Sequence, residues 1–301
     1  MGAGLMGKSY FAYLKPLAMQ HLFSKTLLAL LPLLLSSALY GQGLYLGTYG
    51  AYALAHSPQN LPGINNFTAE NSTVTFEQID VSYAQGFNFG LIVGYYFNQY
   101  LSVEVDANYL IGSEFTARDE EDDAFFRSTT DYRTSANMLR IIPALVISPG
   151  FERLDPYARL GLVLGFAQIE YSQSDVFTDR QSNTTNRTTR SSEYSGSLAL
   201  GLNGSLGLRY ALNNRWSLFG ELNLISMSYA PTRGELTEAT ENGIDVLPFL
   251  PTSEKELELV DELQEDFNNP RPDSEPSQAL RQHFPFSSIG LNLGIVVHFG
   301  S

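Results

Sequence analysis

The feature that most constrains this chain is a period-two alternation of apolar and small or polar residues that recurs up to its last few residues. The clearest case is Ser287 to Phe299, where Ile289, Leu291, Leu293, Ile295, Val297 and Phe299 share one face and Ser288, Gly290, Asn292, Gly294 and His298 share the other. Successive side chains of a β-strand point to opposite faces, so this pattern is that of a strand with one apolar side. Leu101, Val103, Val105, Ala107, Tyr109 and Ile111 alternate in the same way with Ser102, Glu104, Asp106 and Asn108. So do Leu198, Leu200, Leu202, Leu206 and Leu208 with Ser197, Ala199, Gly201, Asn203, Ser205, Gly207 and Arg209. Eight such segments are expected, near 43–54, 84–97, 100–112, 135–148, 157–171, 194–211, 215–229 and 287–299.

The connections between them alternate in length. They are long at 55–83, 113–134, 172–193 and 230–286 and short at Asn98-Gln99, 149–156 and 212–214. An antiparallel barrel with short periplasmic turns and long extracellular loops has this order, and an even strand number returns both ends to the periplasmic side. The expectation is an all-β protein, an eight-stranded antiparallel up-and-down transmembrane β-barrel.

Orientation follows from the second face. A secreted barrel with an apolar interior needs a solvated exterior dense in charge, whereas here the second face is mostly Gly, Ala, Ser and Asn, which suit a narrow lumen. The charges on that face, Glu104, Asp106, Arg140, Arg159, Arg209 and Glu221, are costly in lipid and are expected to pair inside. Tyr95, Phe97, Tyr210, Trp216 and Phe299 gather at the short-turn ends of strands, as a periplasmic aromatic girdle requires.

The N-terminal part is set apart. Lys25 precedes the apolar run Thr26 to Leu35, and small residues follow at Ser36, Ser37 and Ala38, the pattern of a secretory signal peptide cleaved between Ala38 and Gln42. Residues 19–41 are assigned to it, residues 1–18 to an upstream extension and residues 42–301 to the barrel. The apolar run is too short for a spanning helix. Removing Lys8, Lys15 and Lys25 from the 18 basic residues leaves 15 against 32 acids, a net charge of -17. Nucleic acid is excluded as a partner, because phosphate binding requires basic surface. With no cysteine there is neither a disulfide framework nor a thiolate metal site.

The architecture and the terminal strand Ile289-Gly-Leu-Asn-Leu-Gly-Ile-Val-Val-His-Phe299 resemble the small outer-membrane β-barrels of the OmpA-like and OmpX-like kind, especially the stand-alone barrels of Bacteroidetes-type bacteria. The resemblance spans 43–299. It implies that Phe299 closes a targeting strand read by the barrel assembly machinery, although Gly300 and Ser301 follow where the family ends on the aromatic residue. No cell-wall tether is implied. Outer-membrane lipid and lipopolysaccharide are the surroundings it implies.

Four places are candidates for chemistry. The six lumenal charges form either a plug or a narrow small-solute path, and eight strands favour the plug because side chains nearly fill so small a barrel. The run Asp119-Glu120-Glu121-Asp122-Asp123 offers consecutive carboxylates for a divalent cation, without EF-hand spacing. Ser253-Glu-Lys-Glu256 matches a capping box opening a helix to about Phe267, terminated by Asn269-Pro270-Arg271-Pro272 and suited to lidding the barrel or meeting an extracellular protein partner. Ser172 to Ser192 reads as a flexible polar loop. A lipid A-modifying enzyme is the catalytic alternative, but His56, His283 and His298 lie outside any recognisable catalytic pattern and no Gly-x-Ser-x-Gly elbow is present. The expected role is therefore non-enzymatic, structural or surface-interacting, with no cofactor.

Overall fold

The computed structural model describes residues 43–70, 73–264 and 270–299. The extension, the signal segment and its cleavage region up to Gln42 lie outside the described residues. The strands in order are β1 (Leu44–Ala55), β2 (Gln59–Glu70), β3 (Thr73–Val81), β4 (Gly86–Asn98), β5 (Leu101–Gly112), β6 (Phe115–Asp122), β7 (Phe126–Ile147), β8 (Leu154–Asp179) and β9 (Thr184–Ser195). They continue with β10 (Ala199–Ala211), β11 (Trp216–Tyr229), β12 (Arg233–Glu241), β13 (Ile244–Asp245), β14 (Glu256–Val260), β15 (Ser277–Leu280), β16 (Phe284–Pro285) and β17 (Ser288–Phe299).

The eight expected segments reappear as β1, β4, β5, β7, β8, β10, β11 and β17. Each pairs antiparallel with the next, from β1–β4 through β4–β5, β5–β7, β7–β8, β8–β10 and β10–β11 to β11–β17. The circuit closes where β17 returns to β1, in a register running from Leu44↔Phe299 to Ala55↔Ser288. No strand of this circuit has a free edge along its paired length, so its backbone donors and acceptors are satisfied within the protein. Two of the short turns are built by asparagine. Asn98 Oδ1 accepts from the N–H groups of Tyr100 and Leu101 at 2.8 and 3.0 Å, and Asn213 Oδ1 accepts from Arg215 and Trp216 at 2.9 and 3.0 Å.

Among the described residues seventeen strands stand where eight are expected, because the long connections are themselves β-structure. β7 and β8 run for 22 and 26 residues, about twice the ~9–11 residues a tilted strand needs to cross a membrane. Their surplus length carries a further sheet ordered β3-β2-β6-β7-β8-β9-β12-β14-β15. Two expectations are corrected here. Ser172 to Ser192 is not a flexible loop, since Ile169 to Asp179 pairs residue by residue with Thr184 to Tyr194. Its Ser and Thr content reads as polar coil by composition but is equally good strand when both faces are solvated.

The second correction concerns the capping box. Only one helical turn forms, Thr252–Lys255, with Pro251 at its N-cap and no side-chain cap. Ser253 Oγ turns to Asp273 instead, at 3.4 Å. Chain from Glu256 on is extended because Leu257 and Leu259 alternate with Glu256 and Glu258, and β12 and β15 offer edges on both sides of it. The expected helix end at Phe267 lies outside the described residues.

The two faces of the circuit separate as the alternation requires. Leu200, Leu202, Leu206 and Leu208 point outward at 67, 63, 70 and 52% exposure, while Asn203, Ser205 and Arg209 on the same strand are buried. More than twenty large apolar side chains point outward in this way. At roughly 60–100 Å2 each they make a belt well above 1,000 Å2, against roughly 300–600 Å2 for the largest patch on a soluble monomer. Aromatic residues border it at both ends, Phe97, Tyr210, Trp216 and Phe299 at the short turns and Tyr52, Phe87 and Tyr109 at the other.

Candidate functional site

All six inward charges are buried, with exposures of 1 to 7%. Strand register brings most of them to one level of the interior. Glu104 on β5, Arg159 on β8 and Glu221 on β11 come from three well-separated parts of the circuit, and Arg159 joins the two acids across it. Its Nη2 lies 2.7 Å from Glu104 Oε2 and its Nη1 2.9 Å from Glu221 Oε1. The fork of a guanidinium suits this double contact, as an ammonium does not. Arg209 reaches Glu104 at 3.7 Å and sits among the rings of Tyr45, Tyr96 and Tyr157, at 5.5, 5.8 and 5.1 Å from their centroids.

The other two charges, Asp106 and Arg140, form no ion pair with each other among the described residues. Asp106 accepts a hydrogen bond from Tyr49 at 2.7 Å, and Arg140 donates to the Asn88 side-chain oxygen. Strand pitch explains the split, since Asp106 lies opposite Ile142 and Arg140 opposite Asn108, one inward step apart on neighbouring strands.

The tyrosines are what sequence reading alone misses. Tyr45 donates to Glu104 at 2.7 Å and Tyr157 to Glu221 at 2.8 Å, while the Asn292 amide reaches the other Glu221 oxygen at 2.7 Å. Each ring lies over a glycine of a neighbouring strand, Tyr45 over Gly94, Tyr49 over Gly90 and Tyr157 over Gly207, where an added Cβ would overlap the ring. The pairing Tyr45↔Gly94 is direct. Inward tyrosines at alternate positions opposite inward glycines are the signal that finds them. Apolar side chains fill the rest: Tyr83, Leu110, Met138, Ile142 and Phe286 belong to one buried cluster, and Ile92, Val146, Phe219 and Val296 to a second.

The carboxylates of the acidic run do not converge among the described residues. Residues 119–122 lie on β6, so their carboxylates alternate between opposite faces. Glu120 is held by Arg127 and Asp122 by Arg180, while Asp119 accepts from Tyr132 at 3.2 Å. Burial, and then the Asp119 carboxylate, push the Tyr132 phenol up to about 12. Among the described residues no three His, Asp or Glu side chains converge as metal ligands. Nor do His56 and His283 hydrogen-bond through their side chains to a serine or carboxylate among the described residues. His298 does meet a hydroxyl, Ser217 Oγ at 3.1 Å from its Nε2, at the short-turn end and beneath the stacked Tyr96 ring. Phe299, the expected end of the targeting strand, pairs with Leu44 at the closing seam.

Residues 44–246 match the outer membrane protein beta-barrel domain. The chain belongs to this family. As an outer membrane β-barrel protein it resides in the bacterial outer membrane, and its outward leucines face lipid. No curated protein matches its sequence. Among solved structures it is similar to the attachment invasion locus protein Ail of Yersinia pestis, at 9% identity and a TM-score of 0.31 over 86% of this chain and 99% of that one. It is similar to CarO of Acinetobacter baumannii at 10% identity and 0.31 over 84% and 97%, and to the outer membrane protease OmpT of Escherichia coli at 10% and 0.21 over 86% and 94%. Scores this low carry no argument about what the barrel does.

Proposed function

We propose that the protein is an eight-stranded up-and-down transmembrane barrel, closed to solute by its interior and working non-enzymatically through the sheet it raises above the membrane. The observation that carries this reading is Arg159 held between Glu104 and Glu221, with Tyr45, Tyr49 and Tyr157 packed around it. A conducting path needs a connected polar space, whereas this cross-section is filled by buried side chains, with Arg159 bridging the two acids across it. The protruding strands supply the interaction surface, acidic along β6 and β12 and rich in Ser and Thr along β9. The three short turns and both ends of the circuit then lie on the periplasmic side.

Planar-bilayer recording tests the closed interior, with no steps above background expected, and a large stable open conductance would overturn it. Removing residues 252–272 tests the surface role. Binding of the protein's extracellular partners should fall while the barrel still folds, and unchanged binding would remove that role.

A further inference from the structure

Beyond the closed interior, side chains from β7, β8, β9, β14 and β15 enclose a second space at the long-connection end, a cavity of about 330 Å3. That volume is at the lower end of what small-molecule sites use, roughly 300–1,000 Å3. Its lining is specific in three ways.

Rings dominate the walls: Tyr83, Tyr171, Tyr194 and Phe284 all border the space. Tyr83 is fixed by stacking on Phe286, with centroids 5.7 Å apart, and by a hydrogen bond of 2.9 Å with Thr134. Its position is therefore set before any ligand arrives.

Charge is absent from the lining. Ile169, Leu257, Leu259, Ala279 and Leu280 supply its aliphatic part, and no Asp, Glu, Lys or Arg takes part, although the chain carries 32 acids and 18 bases. An ion entering here would lose its water without a partner.

Neutral hydrogen-bonding groups remain available. Thr134 and Tyr83 satisfy each other, but the Tyr171 and Tyr194 hydroxyls and the Gln282 amide, which also line the cavity, form no side-chain hydrogen bond among the described residues. A ligand with one or two hydroxyl groups would engage them, and a wholly apolar one would leave them unmet.

We propose that this cavity is a binding site for small uncharged aromatic alcohols of one or two rings. The rings offer faces for offset or edge contacts, and the phenols and amide orient the hydroxyl. The site is independent of whether the barrel interior conducts, so it stands or falls separately from the reading above.

The test is equilibrium dialysis of 2-naphthol against the full barrel in phosphatidylcholine nanodiscs, with empty discs subtracted for partitioning into lipid. One saturable site is expected, with a dissociation constant on the order of 10–100 µM for so small a ligand. Ala279→Phe, which fills the space from β15, should weaken binding at least tenfold. Gln282→Trp, a substitution at an exposed rim position, should weaken it several-fold and serves if the first variant does not fold. The anion 2-naphthoate should bind at least tenfold more weakly at pH 7, and glucose should not compete. Absence of saturable binding, binding unchanged in the folded variants, or equal binding of the carboxylate would each overturn the assignment, and competition by glucose would replace it with a sugar site.

Discussion

Replacing Arg159 with methionine keeps much of the side chain's volume and removes the one cation that touches both Glu104 and Glu221, at 2.7 and 2.9 Å. Each acid retains part of its support: Glu104 keeps Tyr45 and the more distant Arg209, and Glu221 keeps Tyr157 and Asn292. What is lost is the compensation of two buried negative charges. Breaking a buried pair from one side costs about 3–5 kcal/mol, and the retained hydrogen bonds hold the double loss to about that range. The single Trp216, at the rim of the apolar belt, reports unfolding by its emission in urea titrations from phosphatidylcholine vesicles. With a urea slope of about 2 kcal/mol/M, a 4 kcal/mol loss moves the midpoint down by about 2 M. The control neutralises the whole group, Arg159→Met with Glu104→Gln and Glu221→Gln, and should recover most of the loss because no uncompensated charge remains. A loss below about 1 kcal/mol in the single variant would refute the argument that charge pairing holds this interior together. So would a triple variant as unstable as the single one, which would assign the effect to shape.

Three further outcomes follow from the same geometry. Gly94→Ala puts a methyl group into the Tyr45 ring, which Glu104 keeps from retreating, so it should cost about 1–3 kcal/mol, whereas Gly50→Ala meets nothing within 4 Å and should be neutral or slightly stabilising in the same titration. Leu206→Arg, at an outward position 70% exposed, should cost about 2–4 kcal/mol in vesicles if it lies near the midplane, and an unchanged midpoint there would contradict the outward assignment. The Asp179 carboxylate, which accepts from the Ser182 hydroxyl and the N–H groups of Gln181 and Ser182, is held below the usual carboxylate range. Its stabilisation of the β8–β9 turn is thus complete above the ordinary aspartate value and is lost only as pH falls through the lower folded value, so amide exchange at Gln181 and Ser182, corrected for intrinsic rates, should stay slow at pH 4 and speed up in stronger acid, and Asp179→Ala should show the fast rate throughout.

Strand positions and the inward face of each charged residue were legible because each depends on a local pattern. Leu200 and Leu202 against Gly201 and Asn203 state their faces within four residues. The partner of each charge was not legible, since Arg159 meets Glu104 and Glu221 through the stagger of strands far apart in sequence, and Asp106 meets Tyr49 rather than Arg140. The loops misled for a different reason. Ser253-Glu-Lys-Glu256 is a sound local helix start, but Leu257-Glu258-Leu259 carries the alternation of a strand, and the waiting edges of β12 and β15 decide between them. The cavity beneath β14 was out of reach, because it exists only once those strands have turned back over Tyr171 and Tyr194.

β8 shows how one uninterrupted strand serves two solvents. From Arg159 to Phe166 its inward residues are Arg159, Gly161, Val163 and Gly165, and Leu160, Leu162 and Phe166 face outward at 66, 58 and 53% exposure. From Ser172 to Asp179 no such division exists: Ser, Gln and Asp stand with Val176 and Phe177, and exposures are mostly intermediate. Hydrogen bonding does not change at that boundary, since β7 pairs along nearly the whole length. Only the side chains do. The backbone ladder therefore extends wherever a partner strand is available, and the membrane's limit is set by where outward leucine and phenylalanine give way to polar residues. At about 3.3 Å per residue, the seven steps from Tyr171 to Thr178 carry the ladder roughly 23 Å further along the strand. The sheet that protrudes beyond the outward leucines is thus an extension of the barrel's own strands, and a substitution such as Ser174→Leu, neutral to the ladder, should leave folding intact while altering only what the protruding face can meet.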